Sequence, residues 1–258
     1  MKVVILAGGF GTRISEETDT RPKPMVEIGG KPVLWHIMKI YSHYGFNEFV
    51  ICLGYKGVYI KEYFANYFLH QTDLTIDLKD NSRQIHSNNS ENWKITMVDT
   101  GLNTMTGGRI KRVEKYIGNE TFLLTYGDGL SNVNIAELIK NHQKNKKICT
   151  VTGIRPQGRF GLMKIGMNND VINFAEKKDE DNSLINGGYF VCEPDIFDYI
   201  KNDDEAIWEK EALESLAKDG ELNLNFHDGF WKPMDSLKDK MDLNELWNSG
   251  NADWKIWK

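Results

Sequence analysis

A glycine-rich loop near the start of the chain carries residue types that hold phosphate. Its candidate nucleotide-binding residues are Leu6, Ala7, Gly8, Gly9, Gly11, Thr12 and Arg13. Glycines allow backbone N–H groups to approach an anion closely, and successive amides form a concave nest for phosphate oxygens. Arg13 adds a guanidinium that can clamp a phosphate through two hydrogen bonds. Lys23 follows ten residues later, and we predict that Arg13 and Lys23 are the catalytic cations of a phosphate-binding loop.

The loop matches neither of two common phosphate-binding motifs. A P-loop requires a lysine directly after its last glycine, and no lysine follows Gly11. A dinucleotide fingerprint requires a third glycine where Ile14 stands and an acidic residue near Leu53. The alternative is a flexible turn that binds nothing, which leaves the two cations without a purpose.

Two single aspartates are candidate magnesium ligands. Asp128 lies between Gly127 and Gly129 at the end of the apolar run Phe122–Tyr126, and the small neighbours leave room for a ligand, so Gly127 joins the candidate nucleotide site. Asp235 directly precedes the last amphipathic segment. Since Mg²⁺ commonly takes one or two protein carboxylates plus substrate phosphate oxygens, the pair predicts a Mg²⁺ site. The alternatives are an Asp-Gly turn at Asp128 and a helix N-cap at Asp235.

A second acidic and basic pair suggests a sugar-phosphate site. Glu176 and Lys177 follow the predicted strand Val171–Ala175, and Asn186 and Gly187 precede the next strand. A carboxylate can accept hydrogen bonds from two sugar hydroxyls, and an adjacent lysine can contact a phosphate. The alternative for the pair is a solvated run of charges.

The segment from Thr104 to Arg109 is a further glycine-rich turn that ends on a cation. It leads into a predicted helix over Arg109–Tyr116. A helix N-terminus at this point favours an anion or a nucleotide base, so Thr104 and Arg109 are candidate nucleotide-binding residues. A plain helix cap is the alternative.

Other catalytic patterns find no support in the sequence. The six histidines show no metal-ligand spacing, and His36 and His43, seven residues apart, fit packing or surface positions better. No nucleophile elbow and no Ser/His/Asp order is present, so nothing favours hydrolysis.

Composition limits the class of protein. The chain has 258 residues, 40% of them hydrophobic, which suits one large α/β domain. A net charge of −5 argues against nucleic acid as a partner. Three cysteines lie in apolar strand-like segments, as expected for buried thiols in a reducing cytoplasm. With no signal-peptide pattern and no long apolar stretch, we expect a cytoplasmic protein without a membrane partner.

The order of the elements predicts a doubly wound α/β sheet. Apolar runs at Val3–Ala7, Phe49–Gly54, Phe122–Tyr126 and Ile148–Gly153 alternate with amphipathic helical segments. In such sheets ligands bind at the carboxyl ends of the strands, where both glycine-bearing motifs fall.

We divide the single predicted domain into three parts. Residues 1–154 form a nucleotide-binding part, 155–235 a sugar-binding part with short strands, and 236–258 a C-terminal helix and tail. The aromatic-rich tail should pack on a neighbouring surface, because exposed tryptophans are unusual.

Several motifs together resemble the sugar-phosphate nucleotidylyltransferase family, and the match covers most of the chain. The resemblance rests on Leu6–Arg13, Pro22–Met25, Gly127–Gly129, Glu176-Lys177 and Asn186–Gly188. Segments that resemble the cytidylyl-transferring branch are Met25–Pro32, Ile60–Phe64, Thr104–Arg109 and Gly158–Gly161. The chain departs from the family pattern at Lys178, where the family usually has a proline.

The resemblance implies a Rossmann-like fold with a mixed, mainly parallel sheet, a small sugar-binding β portion and C-terminal helices. It also implies that CMP is transferred from CTP to α-D-glucose 1-phosphate, giving CDP-glucose and pyrophosphate, with Mg²⁺ as cofactor. A homo-oligomer, a hexamer, is implied in the same way, as is a role in deoxysugar or surface-polysaccharide synthesis. The alternatives are transfer from UTP or dTTP, and a catalytically silent nucleotide-sugar sensor.

Overall fold

The structure, a computed structural model, describes residues 1–155, 161–165, 171–176 and 184–258. The strands are β1 Val3–Leu6, β2 Glu27–Ile28, β3 Lys31–Pro32, β4 Glu48–Leu53, β5 Leu74–Asp77, β6 Ser82–Ile85, β7 Lys94–Asp99, β8 Phe122–Tyr126, β9 Gly129–Ser131, β10 Cys149–Ile154, β11 Gly161–Ile165, β12 Val171–Glu176, β13 Ile185–Cys192, β14 Leu222–His227 and β15 Trp231–Pro233. The α-helices are α1 Ser15–Thr18, α2 Val33–His43, α3 Gly57–Ala65, α4 Tyr67–His70, α5 Thr106–Arg112, α6 Glu114–Ile117, α7 Ile135–Asn145, α8 Leu213–Lys218 and α9 Leu237–Asn248. A π-helix covers Trp208–Ala212, and 3₁₀ turns cover Thr12–Ile14, Lys23–Met25 and Pro194–Tyr199.

A seven-stranded sheet with the order β14-β10-β13-β8-β1-β4-β7 organises the chain. β1 pairs in parallel with β4 on one side and β8 on the other, and β13 is antiparallel to both of its neighbours. The predicted α/β class with a mixed, mainly parallel sheet is therefore confirmed. The chain continues from β1 in one direction and later returns to the opposite side of β1. The strand order thus reverses between β1 and β8, and ligands of doubly wound sheets bind at such a point.

Several boundaries differ from the predicted ones. The helix predicted over Arg109–Tyr116 begins earlier, at Thr106, and breaks at Val113 into α5 and α6. The Asn- and Ser-rich connection, residues 81–92, contains strand β6, which forms a hairpin with β5. Pairing with β5 explains this strand, and the polar composition alone does not indicate it.

Two hydrophobic clusters of buried side chains hold the described part of the chain together. One contains residues of α2 and α7 with Leu243 of α9, and the other contains residues of α5, α8 and the π-helix. Trp254 of the C-terminal tail is fully buried in the first cluster, and Trp257 packs against it. The expectation that the tail packs on a neighbouring surface is confirmed.

The parts proposed from the sequence share one sheet. β10 belongs to the first part, whereas β13 and β14 belong to the second, and β10 is hydrogen-bonded to both of them. β11 and β12 pair only with each other among the described strands, as a small two-stranded sheet. All three cysteines are buried and unpaired by disulfides. Within the described ranges, no helix is long and apolar enough to cross a membrane.

Candidate active site

A cavity of about 450 Å³ opens where the strand order reverses. The loop after β1 forms one wall, the segment that leads into α5 forms another, and the end of β8 forms the third. Its lining residues are Leu6, Ala7, Gly8, Gly9, Phe10, Gly11, Thr12, Arg13, Lys23, Pro24, Leu102, Asn103, Thr104, Met105, Thr106, Arg109, Tyr126, Gly127 and Asp128. The structure thus brings all the predicted nucleotide-binding residues to one cavity.

Lys23 is the centre of an ionic cluster in this cavity. Its Nζ donates to Asp128 Oδ2 at 2.5 Å and to Asp235 Oδ1 at 2.6 Å. Arg13 Nη1 donates to the other oxygen of Asp235 at 2.8 Å. The side chain of Lys23 is only 10% exposed, whereas that of Arg13 is 73% exposed. The ammonium is therefore buried between two carboxylates, and the exposed guanidinium is free to reorient toward an incoming anion.

The charge of Lys23 is secured by its neighbours. Burial alone would lower the pKa of its ammonium, but the charge of Asp128 and hydrogen bonds to Asp128 and Asp235 raise that pKa above its ordinary value. Lys23 is therefore a permanent cation at neutral pH. Its contribution to the site is positive charge and hydrogen bonds, and it cannot serve as a base.

A short ladder brings the two aspartates together. β9 follows Asp128 and β15 precedes Asp235, and the two strands pair so that Pro233 lies opposite Gly129. Met234 then donates its backbone N–H to the carbonyl of Asp128 at 2.9 Å. The alternative role of Asp235 as helix cap does not occur, because Ser236 caps α9 in a capping box with Asp239.

Glycine occupies different positions of the loop for different physical reasons. A Cβ on Gly8 would lie 2.3 Å from Nη1 of Arg109, so this glycine makes room for the guanidinium behind the loop. A Cβ on Gly9 would meet nothing within 4 Å. Gly11 adopts φ +66°, which disfavours other residues. Gly9 is thus exposed beside the cavity, and Gly8 is fixed by packing.

Arg109 holds the scaffold of the cavity. Its guanidinium donates to the carbonyls of Leu53, Gly101 and Leu102 at 2.7–3.1 Å and to Thr100 Oγ1 at 2.9 Å. Burial lowers the pKa of Arg109. The sequence did not indicate this set of partners. A contact between Arg109 and a nucleotide stays a prediction.

Thr104 is tied to the same wall. Its Oγ1 donates to Asp204 Oδ1 at 2.9 Å and accepts from Arg112 Nη1 at 2.5 Å. Arg112 also pairs with Asp204. The segment before α5 is therefore anchored to the 203–206 turn, which keeps this wall in place.

The donor set of Asp128 and Asp235 suits a hard divalent cation. Two carboxylates converge from different elements on one position that the Lys23 ammonium now occupies. Oxygen ligands of this kind favour Mg²⁺ over softer metals. In the described ranges no cluster of three or more His, Cys, Asp or Glu side chains could hold a metal alone, so substrate phosphate oxygens must complete such a site.

Of the predicted sugar residues, Asn186 contacts a side chain that lines this cavity. Asn186 and Gly187 belong to β13; Asn186 Nδ2 donates to the hydroxyl of Tyr126 at 3.1 Å, and the Gly187 carbonyl accepts from Trp231 Nε1 at 2.7 Å. Glu176 ends β12 opposite Gly161. Lys177 lies outside the described residues.

Tyr126 and Glu209 are site residues that sequence reasoning missed. Tyr126 lines the cavity directly before Gly127, and Glu209 of the π-helix accepts a hydrogen bond from the Tyr126 hydroxyl. The position of Tyr126 at a strand end next to Asp128 was the available signal. Glu209 had none, because it lies 83 residues away from Tyr126.

Comparison with known proteins gives a consistent result. The model of the nucleotidyl transferase family matches residues 2–248. Glucose-1-phosphate cytidylyltransferase of Salmonella typhimurium is 52% identical over 259 aligned positions, covering 100% of both chains. Probable glucose-1-phosphate cytidylyltransferase of Bacillus subtilis is 49% identical with the same coverage. In fold, a solved putative glucose-1-phosphate thymidylyltransferase from Bacillus anthracis superposes with a TM-score of 0.70 at 19% identity, covering 100% of this chain and 98% of that one.

Proposed function

This chain belongs to the nucleotidyl transferase family, and from that premise we propose that it transfers CMP from CTP to α-D-glucose 1-phosphate, forming CDP-glucose and pyrophosphate. The observation that carries the proposal is that Lys23 is held between Asp128 and Asp235 and lines a cavity large enough for a ligand. Full-length identity of about one half to two cytidylyltransferases supports the choice of nucleotide and sugar.

The reaction is a displacement at phosphorus. A phosphate oxygen of glucose 1-phosphate attacks the α-phosphorus of CTP, and a new P–O bond forms. The bond from the α-phosphorus to the bridging oxygen of the β-phosphate breaks, and that oxygen keeps the electron pair and leaves with pyrophosphate. No proton has to be removed, because a sugar phosphate is already ionised at neutral pH. Catalysis therefore depends on in-line positioning and on neutralising charge.

Residues at the cavity supply both the in-line positioning and the charge neutralisation. Amides of Gly8, Gly9 and Gly11 receive the triphosphate, and the exposed Arg13 turns from Asp235 to the leaving β- and γ-phosphates. Lys23 lies across the α-phosphate and the incoming phosphate. Once the Lys23 ammonium has turned to the phosphates, Asp128 and Asp235 would hold Mg²⁺, and the cation would offset phosphate charge.

We place the sugar on the β13 side of the cavity. Glu176 accepts hydrogen bonds from glucose hydroxyls, Lys177 contacts the sugar phosphate, and Asn186 and Gly187 line the ring. Thr104 and Arg109 hold the wall against which the base rests. A cytoplasmic location and a homo-oligomer, a hexamer, remain predictions, and light scattering measures the latter.

A pyrophosphate-release assay with each nucleoside triphosphate and glucose 1-phosphate tests the proposal. We expect at least about a tenfold preference for CTP over UTP, because the exocyclic amine of cytosine donates where uracil accepts, and one mismatched buried partner costs about 1–3 kcal/mol. Equal turnover with CTP, UTP and dTTP would remove the cytidylyl assignment. No release with any of them, with nucleotide sugar still bound, would support the silent-sensor alternative.

A further inference from the structure

The end of β8 is linked to the sugar side by a chain of hydrogen bonds that begins at Glu209. Glu209 Oε1 accepts from the Tyr126 hydroxyl at 2.5 Å, and Oε2 accepts from Thr106 Oγ1 at 2.7 Å. Tyr126 OH accepts from Asn186 Nδ2 at 3.1 Å. Asn186 Oδ1 accepts the backbone N–H of Gly188 at 2.8 Å. These hydrogen bonds thus connect Glu209 of the π-helix with β13 through Tyr126, which lines the cavity.

The donor and the acceptor of each hydrogen bond follow from the chemistry of Glu209, with which the series begins. An ionised carboxylate has no proton, so Tyr126 must donate to Glu209. A phenol has a single proton, so its remaining lone pair must accept, and only the amide NH₂ of Asn186 can donate to it. The amide oxygen then points at the Gly188 N–H. Glu209 therefore sets the orientation of the Asn186 amide through two hydrogen bonds.

The ring of Tyr126 has little freedom to respond in another way. Gly188 adopts φ +80°, and a Cβ there would lie 2.6 Å from Cδ2 of the ring. The ring of Phe190 meets it edge-on with a centroid distance of 6.0 Å. Burial and the charge of Glu209 raise the pKa of the Tyr126 hydroxyl. The phenol is thus a fixed, protonated relay between Glu209 and Asn186.

We propose that Glu209 is a positioning residue for the sugar-phosphate substrate, which acts by fixing the amide of Asn186 through Tyr126. The proposal rests on the proposed function, since Asn186 belongs to the inferred sugar side. Glu209 itself need not touch the substrate. Loss of the bond from Tyr126 to Glu209 should impair binding of the sugar phosphate and spare the nucleotide, because the bonds that connect Glu209, Tyr126 and Asn186 involve neither the glycine-rich loop, nor the ionic cluster, nor the wall before α5.

Steady-state kinetics of Glu209→Ala and Tyr126→Phe test this. We expect each to raise the KM for glucose 1-phosphate by about tenfold, the effect of losing one oriented hydrogen bond. Tyr126→Phe keeps the bond between Thr106 and Glu209, so its KM for CTP should change less than about twofold. The double variant should be no worse than the more impaired single one, since both cut the same chain. Glu211→Ala is the matched control, because Glu211 lies in the same π-helix and, among the described residues, pairs with the exposed Lys201 at 3.5 Å. Its kinetic constants should stay at wild-type values.

Equal changes in both KM values of Tyr126→Phe, or additive losses in the double variant, would mean a merely structural role and overturn the proposal. Crystal structures of Glu209→Ala and Glu211→Ala provide a readout that needs no activity. We expect Asn186 to occupy more than one rotamer in Glu209→Ala and a single one in Glu211→Ala. A single Asn186 conformer in Glu209→Ala with both of its contacts intact overturns the relay even if the wild-type protein proves inactive with CTP, which would separately refute the proposed function.

Discussion

At the scale of single residues, the buried ammonium of Lys23 does two things in the same place. It forms ion pairs with two carboxylates and lines the cavity beside the glycine-rich loop. We expect Lys23→Ala to lower turnover by about a hundredfold or more, since losing one preorganised electrostatic contact costs about 2.7–4 kcal/mol of barrier. Pyrophosphate release measures it.

The same substitution has a second consequence for the carboxylates. Without the ammonium, Asp128 loses its ion pair with Lys23 and Asp235 keeps the exposed Arg13, and a divalent cation gains a vacated position. Magnesium should therefore raise the Tm of Lys23→Ala more than that of the wild type. Arg21→Ala, which breaks only an exposed pair with Glu27, is the control and should respond as the wild type does. An equal magnesium response in all three proteins would contradict this account.

The carboxylates give a separate prediction. We expect Asp128→Asn and Asp235→Asn each to reduce turnover severely with modest change in Tm, because an amide keeps the shape but loses the charge that a hard cation needs. Chelation of divalent metal should abolish wild-type activity. Full activity in excess chelator would remove the metal role from both residues.

At the scale of elements, the loop after β1 and helix α5 depend on each other through Arg109. The guanidinium lies against Gly8 and donates to carbonyls of three other residues. Gly8→Ala forces a Cβ into it, and we expect a loss of roughly 2–3 kcal/mol in the free energy of unfolding, because the buried carbonyl of Leu53 and the partly buried bonds to Gly101 and Leu102 lose their donor.

Gly9→Ala makes the same chemical change one residue later, where a Cβ meets nothing within 4 Å. We expect its Tm to stay near the wild-type value and its KM for CTP to rise, since the new methyl group lies beside the triphosphate. Denaturant unfolding and steady-state kinetics separate the two variants. Equal stability of both would show that Arg109 moves aside at little cost.

Local pattern explains what could be predicted at this scale. β8 was predicted with its observed bounds, because an apolar run that ends in glycine marks a buried strand. The β9–β15 ladder could not be predicted. Each strand has three residues, and they pair across about a hundred positions, so neither carries a periodic signal. Asp128 and Asp235 were therefore proposed as partners on chemistry alone, and their proximity became evident only with the fold.

At the scale of the whole molecule, the C-terminal tail completes the core on one face of the sheet. Trp254 and Trp257 pack around His36 of α2, together with Trp247 of α9. The sequence indicated a packing or surface position for His36 and, separately, packing for the tail. That they pack against each other follows from the path of α9, which periodicity does not reveal.

His36 therefore makes global stability depend on pH. Burial lowers its pKa from 6.5 to about 4, despite a hydrogen bond to the carbonyl of Ile28 at 2.8 Å. Trp254 Nε1 donates to Nδ1 of His36 at 3.4 Å, so Nδ1 must keep its lone pair and Nε2 must carry the proton. A second proton would set two N–H groups against each other.

In the unfolded chain His36 gains its second proton below about pH 6.5, whereas in the folded chain it does so only near pH 4. The contribution of neutral His36 to the free energy of unfolding is therefore complete above pH 6.5 and falls as the pH drops through this window. We expect His36 to account for a loss of about 3 kcal/mol between pH 7 and pH 4. Urea unfolding across this range should show a shallower pH dependence for His36→Gln than for the wild type. His43→Gln, at an exposed position of the same helix, should keep the wild-type slope. Identical slopes for all three proteins would assign the acid sensitivity to other groups and leave the aromatic cluster around His36 indifferent to protonation.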